Sequence, residues 1–217
     1  CGSNVRIVAP VSNRVGQMLV QRYPEAQNLI KGAFYPGTKN CGLSDLQPCS
    51  PNLKLIFVGV EWRRKGLKKA IEVARGLKKY HPSLTLDIFG PSPKTISFID
   101  GYPWINGHGW VKAPPYNSFD LLVHPAVDEP FGMAVTESLA SGCRAIVSDH
   151  VGAGEISHPA LKVVGLDRGV DYWVSEAMDC ISQPCLSGDF QGFPNWTDLA
   201  NAYLSVYRGV DIDEKND

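Results

Sequence analysis

Two glutamates stand eight positions apart in 128-DEPFGMAVTESLASG-142, Glu129 directly before a proline and Glu137 inside a run of helical period. Paired carboxylates first raise the question of acid–base hydrolysis. Eight residues of helix span about 12 Å and rotate the second side chain about 80° from the first. A retaining hydrolase needs about 5 Å between its carboxyls, and an inverting one needs both aimed at the same bond. Geometry disfavours that chemistry. Pro130 turns the residue before it away from helical conformation, so Glu129 is expected in an extended loop and Glu137 in the early turns of the following helix. Between them, the N–H groups of Phe131, Gly132, Met133 and Ala134 open a helix, where unpaired donors and a partial positive charge attract an anion such as phosphate. A ligand with hydroxyls at each end and phosphate between them fits that order, and a nucleotide sugar has this layout. The competing reading is a pair of solvated acids that complement the helix dipole.

A second stretch bears on the choice. In 57-FVGVEWRRKG-66, the cations Arg63, Arg64 and Lys65 follow an apolar strand and open a helix. That placement suits a diphosphate, and its alternative is a solvated basic turn. Both stretches in one chain, in this order, favour the ligand. Nearby residues carry blander readings. His124, ahead of Pro125, is expected as a packed or hydrogen-bonded histidine rather than a catalytic one. His108, between glycines, suits a ligand contact and a solvated loop equally. Trp62 and Trp110 are expected at the edge of the core rather than stacked on a ligand, and Cys143 in the core.

These groups need a scaffold. Short apolar runs at 5-VRIVA-9, 54-KLIFVG-59, 84-LTLDIFG-90, 120-DLLVHP-125, 144-RAIVSD-149 and 161-LKVVG-165 read as buried parallel strands. The run 66-GLKKAIEVARGLKKY-80 puts Leu67, Ala70, Ile71, Ala74 and Leu77 on one helix face. Further helices are expected at 13–22, 132–141, 169–182 and 196–208. The alternation predicts an α/β, Rossmann-like, doubly wound parallel sheet, with ligands beyond the carboxyl ends of its strands. Residues 36–52 read as a Gly- and Pro-containing loop or linker, and the acidic 209–217 as a frayed tail. The expected division is 1–51 as an opening segment and linker, 52–208 as the ligand-binding domain, and 209–217 as tail.

Composition limits the function classes. The 217 residues are 44% hydrophobic and 20% charged with a net charge of -1, ordinary for a globular protein and without the basic footprint of a nucleic-acid binder. The six cysteines form no CxxC pair, which points away from a disulfide scaffold or a metal site and towards a reducing cytoplasm. Cys180 with Cys185, and Cys41 with Cys49, are near enough in sequence to bridge, but free thiols are expected. There is no apolar run of about 18 residues and no signal-peptide pattern. Peripheral contact at the inner face of a membrane stays open.

As a set, these residues resemble the retaining glycosyltransferases of the GT-B fold, in the large glycosyltransferase family 4. Glu129 to Glu137 matches that family's E-x7-E motif. The strand-VG element followed by Lys65-Gly66 fits too, as do 87-DIFG-90, 107-GHGWV-111 at the family's Gly-Val loop, 138-SLASGCRAIVSDHVGAGEIS-157 and 194-PNWTDLANAYLSVY-207. The resemblance covers about residues 52–208. It departs from the family at Val60, where many members have Arg, and in the short stretch from Val111 to Phe119. Of the N-terminal Rossmann-like domain usual in the family, only a last strand and helix, within residues 5–24, have counterparts.

The resemblance implies the C-terminal half of a GT-B fold, a domain that binds a UDP-, GDP- or ADP-linked sugar. Glu129 would accept hydrogen bonds from donor-sugar hydroxyls and Glu137 from ribose hydroxyls. The backbone around Phe131, Gly132, Met133 and Ala134 would meet sugar and phosphates, and Gly109 would lie near the base. Arg64 and Lys65 would neutralise the departing diphosphate without a metal, and no cofactor is implied. Transfer would proceed with retention, by attack on the face the leaving group vacates. A missing acceptor domain or a partner chain would complete the site, so this chain alone is expected to bind donor weakly and transfer poorly. The alternatives are a nucleotide-sugar-binding module, one subunit of a split transferase, and a GT-B nucleotide-sugar epimerase.

Overall fold

Six strands carry the structure: β1 (Lys54–Val58), β2 (Thr85–Phe89), β3 (Ile105–Gly109), β4 (Leu121–His124), β5 (Arg144–Ser148) and β6 (Leu161–Val164). They pair in the order β3-β2-β1-β4-β5-β6, every pairing parallel. The computed structural model describes residues 5–38, 49–50, 52–183 and 195–214. Its helices are α1 (Asn13–Arg22), α2 (Leu67–Leu77), α3 (Met133–Ala140), α4 (Val170–Ser182) and α5 (Trp196–Glu214).

Both faces of the sheet are covered, which is why the strands read as continuous apolar runs. Leu55, Phe57, Leu121, Val123 and Ile146 point into one core with Leu67, Ala70 and Ala74 of α2 and Trp173 and Ala177 of α4. Ile56, Leu122, Ala145 and Val147 point into the other, with Val135 and Leu139 of α3 and the buried Cys143. This is the Rossmann-like, doubly wound sheet that the sequence predicts.

Four differences have physical reasons. The stretch 107-GHGWV-111, expected as a loop, belongs largely to β3. That strand lies at the sheet edge and pairs with β2 alone, so it needs little apolar surface, and Asn106, Gly107 and His108 mask it. The run 5-VRIVA-9, expected as a strand, makes only an isolated bridge from Val8 to Ile30, because no strand of the main sheet lies beside it. Trp110, expected at the core edge, is 71% exposed, since β3 ends at Gly109 and releases it. The last helix runs to Glu214, beyond the boundary set for a tail at 209. Cys41, Cys185, most of the 36–52 linker and residues 215–217 lie outside the described residues.

The sheet order reverses between β1 and β4, so the connections leaving these strands go to opposite faces and open a crevice at their carboxyl ends. Gly66 closes the β1 turn against β4. Its φ is 78°, and a Cβ added there would come 2.0 Å from the Pro125 carbonyl oxygen. Gly66→Ala is therefore expected to destabilise the protein by about 3 kcal/mol from strain and overpacking. In a chain of this size that lowers the thermal midpoint by roughly 6–12 °C, which a calorimetric melt reads directly.

Candidate functional site

The crevice is built by two turns. After β1, Lys65 N–H donates to the Glu61 carbonyl and Leu67 N–H to that of Trp62, each at 2.9 Å, which coils the cations into the start of α2. After β4, Val127 N–H donates to the Arg64 carbonyl at 2.8 Å, tying the turns together. Glu129 lies in extended backbone, as Pro130 requires, and bridges to Val151. Its N–H donates to the His150 carbonyl and its carbonyl accepts from Gly152 N–H, each at 3.0 Å.

This backbone delivers the Glu129 carboxylate, 7% exposed, into a ring of nitrogens. Oε2 contacts Lys65 Nζ and lies 3.6 Å from an Arg64 guanidinium nitrogen and 3.8 Å from His124 Nε2. Burial pulls the Glu129 carboxyl up, but the facing His124 and the hydrogen-bonded Lys65 ammonium outweigh it and hold it at about 2. His124 is fully buried and stacks on Phe57, ring centroids 6.3 Å apart. Burial lowers its pKa and keeps it neutral. At 3.8 Å its Nε2 lies just beyond ordinary hydrogen-bonding length, so the neutral ring lends Glu129 only its dipole while Lys65 supplies the fixed charge. Packing describes this histidine better than hydrogen bonding does.

The other candidate residues take distinct places. Arg64 donates to the Glu61 carboxylate and the Asp128 carbonyl, while Arg63 turns away to lie over the Trp62 ring. Gly132 caps α3 with φ 101° and no side-chain hydrogen bond to the first turn. The N–H groups that open α3 therefore lack a side-chain cap. Met133 and Ala134 are half-buried in that turn, and Phe131 is buried, so it offers the crevice its backbone. Glu137, half-buried one turn along, accepts from the Tyr116 hydroxyl at 3.0 Å. Gly109 is buried at the end of β3, its carbonyl accepting from Gly90 N–H at 2.7 Å. His108 is committed to the sheet edge, with Nε2 2.5 Å from Asp87 Oδ1 and its ring stacked on Phe89. Trp62 is buried in the core. Among the described residues no group of three His, Cys, Asp or Glu side chains is placed to hold a metal.

Sequence reasoning passed over Glu155. Its carboxylate accepts from the backbone N–H groups of Asn13 at 2.9 Å and Arg14 at 2.7 Å, the first turn of α1, and from the Tyr35 hydroxyl at 2.9 Å. Burial and this carboxylate together raise the Tyr35 pKa to about 12. Ser12 Oγ donates to the Pro130 carbonyl at 2.7 Å, and Arg14 pairs with Asp128 at 3.0 Å. The opening helix is thus anchored on the loop that carries Glu129. No local pattern announces contacts between residues more than 110 positions apart.

A family model described as glycosyl transferases group 1 matches residues 48–162. No curated protein sequence matches the chain. Among solved structures, the lipopolysaccharide-biosynthesis glycosyltransferase WaaG is 14% identical with a TM-score of 0.62, over 81% of this chain and 53% of its own. Sucrose-phosphate synthase from Thermosynechococcus elongatus is 17% identical with a TM-score of 0.64, over 95% of this chain and 59% of its own. HepE from Anabaena, solved with UDP and glucose, is 16% identical with a TM-score of 0.61, over 82% and 54%. The chain spans little more than half the length of these structures and has the fold of a GT-B C-terminal half.

Three expected outcomes rest on these contacts. Because the folded Glu129 pKa lies below the unfolded value of 4.5, its charge stabilises the fold fully above about pH 4.5 and loses that effect as pH falls towards 2, about 3 kcal/mol in all. Lys65→Ala is expected to move the Glu129 carboxyl titration upward by at least one unit, read by carbon NMR. Glu155→Ala removes a helix cap of about 1 kcal/mol and should speed amide exchange across α1 roughly fivefold while that of β1 and β4 stays unchanged.

Proposed function

Since the chain belongs to the glycosyl transferases group 1 family, we propose that it is the nucleotide-sugar-binding half of a retaining, family 4 glycosyltransferase. The observation that carries this reading is the buried, ionised Glu129, held by Lys65 at the sheet reversal and followed by a helix that starts without a side-chain cap. A carboxyl with a pKa near 2 has no proton to give at neutral pH and little affinity for one. It suits a fixed acceptor for sugar hydroxyls rather than an acid or base.

In this reading the α3 N-terminus meets the phosphates, and Glu137 accepts from the ribose. Lys65 Nζ carries three protons, enough to hold Glu129 and a phosphate oxygen together. When the bond from sugar C1 to the diphosphate breaks, Lys65 and Arg64 stabilise the charge that develops on the leaving oxygen. The acceptor hydroxyl oxygen bonds to C1 on the same face and its proton passes to the departing phosphate. No metal is assigned to the step. HepE, crystallised with UDP and glucose, lends support to this donor class. A cavity of about 520 Å³ along α1, lined by Pro10, Gly16, Val20 and Ile30, favours further polypeptide, an acceptor domain or a partner chain, against this end.

Calorimetric titration with UDP, GDP and ADP tests the proposal. Saturable binding of one of them is expected, weakened about tenfold or more by Lys65→Ala and by Glu137→Ala, with circular dichroism reporting that both variants are folded. No saturable binding at millimolar nucleotide, or binding indifferent to both substitutions, would sink it.

A further inference from the structure

A cavity of about 530 Å³ lies away from Glu129, between α2 and the 3-10 segment Pro93–Ile99. Aromatic rings form its wall. Trp62, 6% exposed, meets Phe98, 42% exposed, with centroids 5.3 Å apart, and Tyr102 extends the surface. Arg63, Lys68 and Arg75 line the same cavity, with Glu72 as its one acid. The Arg63 guanidinium lies 4.2 Å from the Trp62 ring centroid. Among the described residues, no carboxylate forms an ion pair with any of these three cations.

Unpaired cations in a concave, partly apolar cleft concentrate anions, since the low-dielectric walls focus the field. Lys68 and Arg75 are seven residues apart on α2, which places them about 10 Å apart along its axis. With their attachment points so far apart, the arrangement suits a ligand with acidic groups spaced along its length better than a single phosphate. The rings suit the apolar C–H faces of sugars, as broad surfaces that lose little conformational freedom on binding. Thr95 and Glu72, also in the lining, offer partners for hydroxyls. A membrane surface fits less well, because insertion calls for several protruding apolar groups and Phe98 is the one large apolar side chain of this lining that stands exposed.

We propose that this cleft binds an acidic oligosaccharide, a chain of sugar rings bearing carboxylates or comparable anions, at a site separate from the Glu129 crevice. Carboxylates pair with Arg63, Lys68 and Arg75, and a ring packs against the exposed Phe98 beside Tyr102. The proposal rests on residues to which the donor-site reading assigns no role.

The test is a calorimetric titration with tetragalacturonate, alongside neutral maltotetraose, inorganic phosphate and vesicles containing anionic phosphatidylglycerol. Saturable tetragalacturonate binding is expected, at least about tenfold weaker in Arg75→Ala and in Phe98→Ala. Maltotetraose and phosphate should bind far more weakly. Thermal melting of both variants reports whether they are folded, and nucleotide titration of the same variants should match the parent chain, which separates this site from the donor reading. The proposal is overturned if tetragalacturonate fails to saturate, if phosphate binds as tightly, if neither substitution weakens binding, or if the two substitutions abolish vesicle binding while the oligosaccharide never binds.

Discussion

A carboxylate that is 7% exposed must be paired, and the pairing of Glu129 with Lys65 is the constraint around which the carboxyl end of this sheet is arranged. The partners are 64 residues apart and leave the sheet on opposite faces, Lys65 into α2 and Glu129 towards α3. Their contact requires the turns after β1 and β4 to converge. The Val127 to Arg64 backbone hydrogen bond and the close approach of Gly66 to Pro125 enforce that convergence. A buried ion pair of this kind gives weak net stability, because desolvation offsets attraction. Its value here is in location, since it fixes charged groups of both signs in one crevice.

The same convergence brings two helix starts together. Both α2 and α3 begin at glycines in left-handed conformation, and no side chain caps either one. Helices in most folds close such ends with Ser, Thr, Asp or Asn. In α2 the preceding turn takes the first N–H, from Leu67 to the Trp62 carbonyl, whereas the start of α3, beside Lys65 and Arg64, adds its positive potential at the reversal of strand order, the setting in which a phosphate-bearing ligand needs no large rearrangement to be held.

The opening helix adds a mechanical link. Glu155 caps α1 while Ser12 and Arg14 hold the loop on either side of Glu129, so displacement of α1 acts directly on the residues flanking the buried carboxylate. The groove along α1 is the face through which further polypeptide would bear on the crevice. The Trp62 cleft, lined by residues of α2 and of the segment after β2, meets the crevice at the turn that begins α2.

Much of the fold was legible locally. The helix over 13–22, the apolar face of α2 and the strands near 54, 84, 120, 144 and 161 follow from periodicity, which depends only on neighbours in the chain and on burial of both sheet faces. Pro130 likewise sets the extended backbone at Glu129, because the clash it causes is with its own predecessor. What the tertiary structure alone decided is partnership. Strand order made β3 an edge strand that tolerates Asn, Gly and His, and left the 5–9 run without a sheet neighbour. Three consecutive cations read alike in sequence, yet Lys65 meets Glu129, Arg64 reaches Glu61 and the Asp128 carbonyl, and Arg63 lies over Trp62. Glu155 finds α1 across more than 140 residues. Periodicity is a property of a segment, whereas the partner of a charge depends on which strands lie side by side, and that is settled only when the whole sheet assembles.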